Sequence, residues 1–195
     1  MMVPMARWEP NATLRLLNAA VDLFTEQGYD ATTVTEIAER AGLTKTTFFR
    51  HFADKREVLF AAGEQDHGRV LADAIAAAPD AATPLQAVTA ALDALTDAFR
   101  EDRREFSARV VAIIAANGEL QERAVFKRVS FAAAIADALH KRGVPDPTAS
   151  LAAELGARAF YQAYEEWADL TNQQTLTDLA RQALEELRAA AVRLD

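Results

Sequence analysis

Cysteine is absent from the 195 residues, so disulfides and cysteine-ligated zinc are excluded, and a reducing cytoplasm is the compartment expected. Glycine (7) and proline (6) are scarce beside abundant alanine, a balance that favours helix over sheet. No uncharged apolar stretch approaches the ~20 residues a membrane span needs, and no apolar run follows a basic start as in a secretory leader. The three histidines, His51, His67 and His140, are far apart, and none falls in an HExxH-like spacing. There is no glycine-rich phosphate loop and no serine elbow; the only serines are Ser107, Ser130 and Ser150. Glu165 and Glu166 are neighbours, but adjacent helix positions do not converge on one point. These gaps leave no catalytic constellation, no metal site and no cofactor motif. The expectation is a protein that is not an enzyme.

What is present is helical periodicity and an uneven charge. The formal net charge is −8, which argues against a general nucleic-acid coat. Residues 40–56 are the exception, with five basic side chains (Arg40, Lys45, Arg50, Lys55, Arg56) against Asp54 alone. Charge acts locally, on the scale of a Debye length of ~8 Å, so a small basic face is compatible with an acidic whole.

Capping and breaking residues predict about nine helices and no strand, since no segment alternates with period two. Asn11 is the expected cap of a first helix that ends at Gly28. Thr33 to Glu36 reads as a capping box for a second, ending near Arg40. After Gly42, Thr44 caps a third helix from Lys45 to about His51. Asp54 to Glu57 is another capping box, opening a fourth helix expected to reach Ala78. Further helices are expected at about 84–101, 103–116, 119–142, 148–169 and 174–193. This is an all-α chain with a domain of residues 1–53, its helix-turn-helix at about 33–52, and a larger one of residues 54–195.

The stretch from Ala41 to Phe52, AGLTKTTFFRHF, has two characters. Phe48 and Phe52 are four apart and share a side of the helix, whereas Thr44, Lys45, Thr46, Phe49 and Arg50 lie largely on others. A helix this short is not stable alone, so the two phenylalanines anchor it on its neighbours. The opposite side suits a DNA groove. Hydroxyls bind phosphate, Lys45 reaches guanine acceptors or phosphate, and threonine or phenylalanine touches a thymine methyl.

The run TTVTEIAERAGLTKTTFFRHFADKREVL (Thr32–Leu59), preceded by LLNAAVDLFTEQGYDA (Leu16–Ala31), resembles the N-terminal domain of the TetR family of bacterial repressors. The resemblance covers about residues 13–60 without gaps. It implies a DNA-binding regulator, a repressor by the family's common mode, acting on a pseudo-palindromic operator as a homodimer. By this resemblance Lys45 and Thr46 face bases, while Thr33, Thr47, His51 and Lys55 contact the DNA backbone. Phe49 is a departure, standing where the family usually has a tyrosine that binds phosphate through its hydroxyl. It keeps open the alternative of a helical ligand- or protein-binding dimer that has lost operator binding.

In the family the larger domain takes a small, often hydrophobic effector whose binding releases the DNA. The candidates for that site are Phe99, Phe106, Arg109, Phe131, Phe160, Tyr164 and Trp167, with Asn117 and Gln162 as further polar anchors. The same rings also read as ordinary core. The stripe Leu176, Leu179, Ala180, Ala183, Leu184, Leu187, Ala191 and Leu194, with the small residues Gly156, Ala159 and Ala163 before it, is either internal core or a dimer face. The resemblance favours dimerisation through these last two helices. Gly63 and Gly68 lie inside the fourth helix and mark either a bend or a close neighbour.

Overall fold

The computed structural model describes residues 11–60 and 64–194, and among these every regular element is helical. The chain divides into two compact units, Met1–Ala62 and Gly63–Asp195.

In the first unit α2 (Val34–Arg40) packs against both α1 (Ala12–Gln27) and α3 (Lys45–His51), and a short α4 (Glu57–Phe60) packs against α1. Asn11 precedes α1, but its side chain makes no capping bond. Its backbone is in the left-handed region, at φ 79°, so the amide side chain is not presented to the first turn. The caps at Thr33 and Thr44 form as expected, whereas α4 begins at Glu57 and not directly after Asp54, whose carboxylate accepts from the Glu57 N–H at 3.1 Å. Thr33 accepts from the Glu36 N–H at 3.2 Å while the Glu36 carboxylate accepts from the Thr33 N–H at 2.8 Å. Gly42, at φ 66°, closes α2: the Leu43 N–H reaches the Ala38 carbonyl at 2.8 Å and the Gly42 N–H reaches that of Glu39 at 2.9 Å. A side chain at Gly42 would be strained by that φ and would also meet Arg15 Nη2 at 2.8 Å.

The second unit contains α5 (Glu64–Ala77), α6 (Pro84–Thr96), α7 (Arg104–Ala115), α8 (Gly118–Lys141), α9 (Thr148–Ala168) and α10 (Leu176–Val192). The fourth expected helix is thus described as two pieces, α4 and α5, and Gly63 lies outside the described residues. Gly68 is inside α5, and a Cβ there would meet nothing within 4 Å, so no neighbour approaches it closely. Helix α6 stops at Thr96 rather than 101. The turn after it, closed by the Phe99 N–H on the Thr96 carbonyl at 2.9 Å, carries the Phe99 ring onto those of Phe160, Tyr164 and Trp167.

The core of this unit is built from Leu71 and Ile75 of α5, Val88, Leu92 and Leu95 of α6, Ile135 and Leu139 of α8, Phe160 of α9 and Leu184 of α10. The stripe on α10 is largely part of it. Leu176, Leu179, Ala180, Ala183 and Leu184 are buried within the chain, and only its far end, at Leu194, stands out into solvent. Gly156 likewise serves the interior, since a Cβ there would lie 2.5 Å from Val88 Cγ1. Of the two uses that periodicity allowed, these residues have the internal one.

Three helix ends are capped by arginines from far along the sequence. Arg104 donates to the carbonyls of Trp167 (2.6 Å), Asp169 (3.0 Å) and Asn172 (2.6 Å), closing α9. Arg142 does the same for α5 through the carbonyls of Ile75, Ala78 and Pro79. Arg15 reaches the carbonyl of Ala41 at the end of α2. Each places a cation where a helix's terminal carbonyls lack intrahelical partners. No described helix is long and apolar enough to cross a membrane.

Candidate functional site

Phe48 and Phe52 are buried, at 0% and 2% exposure, with their rings 5.3 Å apart. That fixes the roll of α3. Lys45, Thr46, Phe49 and Arg50 are all exposed, and at 3.6 residues per turn they share an arc of roughly 140°. Phe49 is 50% exposed and packs its ring against Phe48 in an edge-on contact at 5.5 Å, so an apolar plate is held on the outward face.

The cations of this region are used unequally. Arg40 makes a two-pronged pair with Glu26, at 2.8 and 3.0 Å, which ties α2 to α1. Arg56 pairs with Asp54 at 2.8 Å. That guanidinium, with the N–H groups of Glu57 and Arg56, holds the Asp54 carboxyl below the usual carboxylate range. Lys55 lies in the turn before α4, not on the helix. Its ammonium donates to the carbonyls of Tyr29 (2.7 Å) and Thr32 (3.0 Å) and rests 4.0 Å from the centre of the Tyr29 ring. An ammonium has three N–H donors, so one is left for a further acceptor. Lys45 and Arg50 therefore supply the outward positive charge of α3.

The hydroxyls are committed too. Thr44 caps α3 by accepting from the Thr47 N–H at 3.1 Å, and its oxygen is 3.0 Å from that of Thr47. Thr33 directs both its N–H and its O–H at the Glu36 carboxylate, at 2.8 and 2.7 Å. The Thr33 hydroxyl, foremost, keeps the Glu36 carboxyl below the usual range. A phosphate approaching Thr33 would have to displace that carboxylate. His51 is exposed, with Nδ1 3.2 Å from the Thr13 hydroxyl.

Five of the seven effector candidates come together in the second unit. Phe99 touches Phe160, Tyr164 and Trp167 at 5.8–6.1 Å between ring centres, and Phe131 stacks on Phe160 at 5.0 Å. His67 and Tyr161, not among the candidates, complete the cluster against Phe99 and Phe131. Tyr161 is one of the aromatic side chains that the sequence shows beside Phe160, but nothing local pointed to His67. Phe106 is half-buried on α7 beneath the Arg103 guanidinium, 4.5 Å away, and Arg109 is half-buried on the same helix. Asn117 is used as the cap of α8, accepting from Glu119 and Leu120. Gln162 makes a surface bond to Glu166 at 3.1 Å. Burial raises the Tyr164 hydroxyl above its ordinary pKa, offset by its bond to Ser107, so it remains a neutral hydrogen-bonding group.

A sequence model of bacterial regulatory proteins of the tetR family matches residues 16–62. The transcriptional regulator TcmR of Streptomyces glaucescens is 38% identical over 91 residues, 47% of this chain and 40% of TcmR. The regulator BetI of Rhizobium meliloti (strain 1021) is 33% identical over 110 residues, 56% of this chain and 52% of BetI. The match thus spans about half or less of these relatives' length. Among solved structures, the SmeT–triclosan complex superposes with a TM-score of 0.62 at 22% identity, over 93% of this chain and 91% of SmeT. FadR of Thermus thermophilus, a TetR-family repressor in complex with lauroyl-CoA, gives 0.54 at 21%, over 89% and 91%. At such identities the likeness concerns the fold, and it extends beyond the N-terminal unit to nearly the whole chain. The match to the tetR family of bacterial regulatory proteins lies over residues 16–62, the stretch that carries α2, α3, α4 and most of α1.

Proposed function

We propose that the protein is a transcriptional regulator, a repressor, whose dimer binds a pseudo-palindromic operator through α3 and is released by a small molecule in the second unit. The observation that carries this reading is the roll of α3, with Phe48 and Phe52 inside and Lys45, Thr46, Phe49 and Arg50 facing out. Such a helix places cations, a hydroxyl and an apolar ring at base edges and phosphates. One seven-residue helix is a small reader, so two copies at fixed spacing suit the task. The pairing is assigned to the outer faces of α9 and α10, where Leu151 and Val192 remain exposed. The aromatic cluster supports an effector site in the second unit, in keeping with similarly folded structures that are complexes with triclosan or lauroyl-CoA.

The test is selection of bound duplexes from random DNA, followed by affinity measurement across a salt series. If Lys45 and Arg50 of two chains each neutralise a phosphate, log affinity falls against log salt with a slope of about −4. Selected sites with two half-sites are expected. A folded dimer that ignores every duplex at low salt would move the reading to a ligand-binding dimer without an operator.

A further inference from the structure

The apolar seam of α8 runs through Leu120, Ala124, Phe131, Ile135 and Leu139 at steps of three and four, and the position completing it is Arg128. An arginine therefore stands where the pattern calls for an apolar side chain. Its Nε is buried and has no hydrogen-bond partner. Its guanidinium lies 5.1 Å from the centre of the Tyr161 ring, at the edge of the cluster in which Phe131, Phe160 and Tyr161 touch one another. The nearest carboxylate, Glu165, is 3.9 Å from Nη2, beyond hydrogen-bond range, and is 64% exposed. A pair so loose and so hydrated contributes little. The other arginines that reach into this unit, Arg104 and Arg142, are each occupied by three or more carbonyls. Arg128 is not, although the side chain keeps 41% of its surface open.

A buried donor without an acceptor is uncommon in a native fold, and a guanidinium presents paired donors that match a carboxylate. We propose that Arg128 anchors the effector, which is an amphipathic anion with a carboxylate on the guanidinium and an apolar body against Phe131, Phe160 and Tyr161. This rests on the reading that the second unit holds an effector site, and it replaces the expectation of a merely hydrophobic ligand. Arg128 then sits in the seam at the expense of the unliganded fold.

The test uses the full chain and matched pairs of probes, 1-naphthoate with 1-naphthamide and decanoate with decanamide, by calorimetry and thermal unfolding. The acid of at least one pair is expected to bind about tenfold or more tighter than its amide. In Arg128→Met that ratio falls to about one, and the melting point of the free protein does not drop, because an unpaired buried donor has been removed. Arg128→Gln gives the same ratio test should the methionine variant fail to fold. Amides that bind as well as acids would overturn the anion assignment and leave the effector reading standing. Binding by no probe, and no release of DNA by any, would overturn both. An acid preference that survives in the variants, or a variant whose sole defect is subunit association, would remove Arg128 from the ligand site.

Discussion

Replacing Gly156 by alanine adds a single methyl group at a helix-interior position, where propensity alone would reward the change. Alanine is favoured over glycine in a helix by about 1 kcal/mol. Against that gain stands the Val88 methyl, 2.5 Å from the new Cβ, with Ile135 Cδ1 at 3.5 Å. Carbon atoms in contact prefer about 3.5–4.0 Å, so roughly 1 Å of separation has to be created. Val88 cannot swing aside easily. It is fully buried, and a valine in a helix has one strongly preferred rotamer. The helix that carries it, α6, is held in turn by α5, α9 and α10. Overpacking of this kind costs about 1–3 kcal/mol. The net expectation for Gly156→Ala is a loss of up to about 2 kcal/mol, read as a lower midpoint in urea unfolding at unchanged slope. Gly68→Ala is the control, because open space surrounds that position and the same methyl should stabilise by up to about 1 kcal/mol. In a Val88→Ala background the penalty at 156 should vanish, giving a coupling of about 1 kcal/mol or more in the double-mutant cycle. A Gly156→Ala protein more stable than the parent, or two substitutions that simply add, would refute the packing argument.

Lys55→Met keeps the stem but removes the ammonium donor from the Thr32 carbonyl and from the Tyr29 carbonyl, which still accepts from the Thr32 N–H at 3.2 Å. It should lower stability by about 2 kcal/mol in urea unfolding. If the third N–H also reaches a phosphate, the salt slope of DNA binding flattens by about one unit for every sequence alike; a flatter slope with no loss of stability would mean the ammonium serves DNA alone. Lys45→Ala should leave stability within about 0.5 kcal/mol. If Lys45 reads a base edge, the change costs ~1–3 kcal/mol of operator affinity and relaxes preference at one position. A uniform loss across operators would reassign Lys45 to phosphate. Asp54→Asn keeps the cap acceptor but loses the charge that Arg56 stabilises. Because the Asp54 pKa is lowered in the fold, its contribution is fully present above the unfolded value of about 3.9 and is lost as pH falls through the folded one. Parent and variant should therefore differ in urea midpoint at neutral pH, begin to converge below about pH 4 and meet once pH is below the lowered folded pKa; a gap that persists there would show that packing, not charge, is responsible.

The features legible in the sequence are those with a local cause. Thr33 and Thr44 cap their helices through groups three residues away, and the spacing of Phe48 and Phe52 fixed which side of α3 turns inward. Asn11 failed as a cap because its backbone conformation, not its residue type, decides where the side chain points. Periodicity showed that α10 has an apolar stripe but could not show that α6 and α9 would cover it. Arg104 and Arg142 close helix ends more than 60 residues away, a relation that no window of the sequence contains. Four of the aromatic candidates meet along α8 and α9, and Phe99 joins three of them, Phe160, Tyr164 and Trp167, because α6 ends early.

The same distinction applies to the positive charge of residues 40–56. Counting side chains in residues 40–56 gave five cations, as though each were offered to a phosphate. In the fold Arg40 and Arg56 are neutralised by Glu26 and Asp54, and Lys55 holds the connection between α1 and α2. Scaffolding and recognition draw on the same residues, and only contacts separate them. Lys45 and Arg50, which α3 turns outward, are the pair left to neutralise phosphate, so the expected salt slope for a dimer is near −4. Were all five cations of both chains to reach DNA, it would be near −9. A measured slope close to the larger figure would mean that Arg40, Lys55 and Arg56 exchange their internal partners for phosphates on binding, and that the free structure understates how far this unit rearranges.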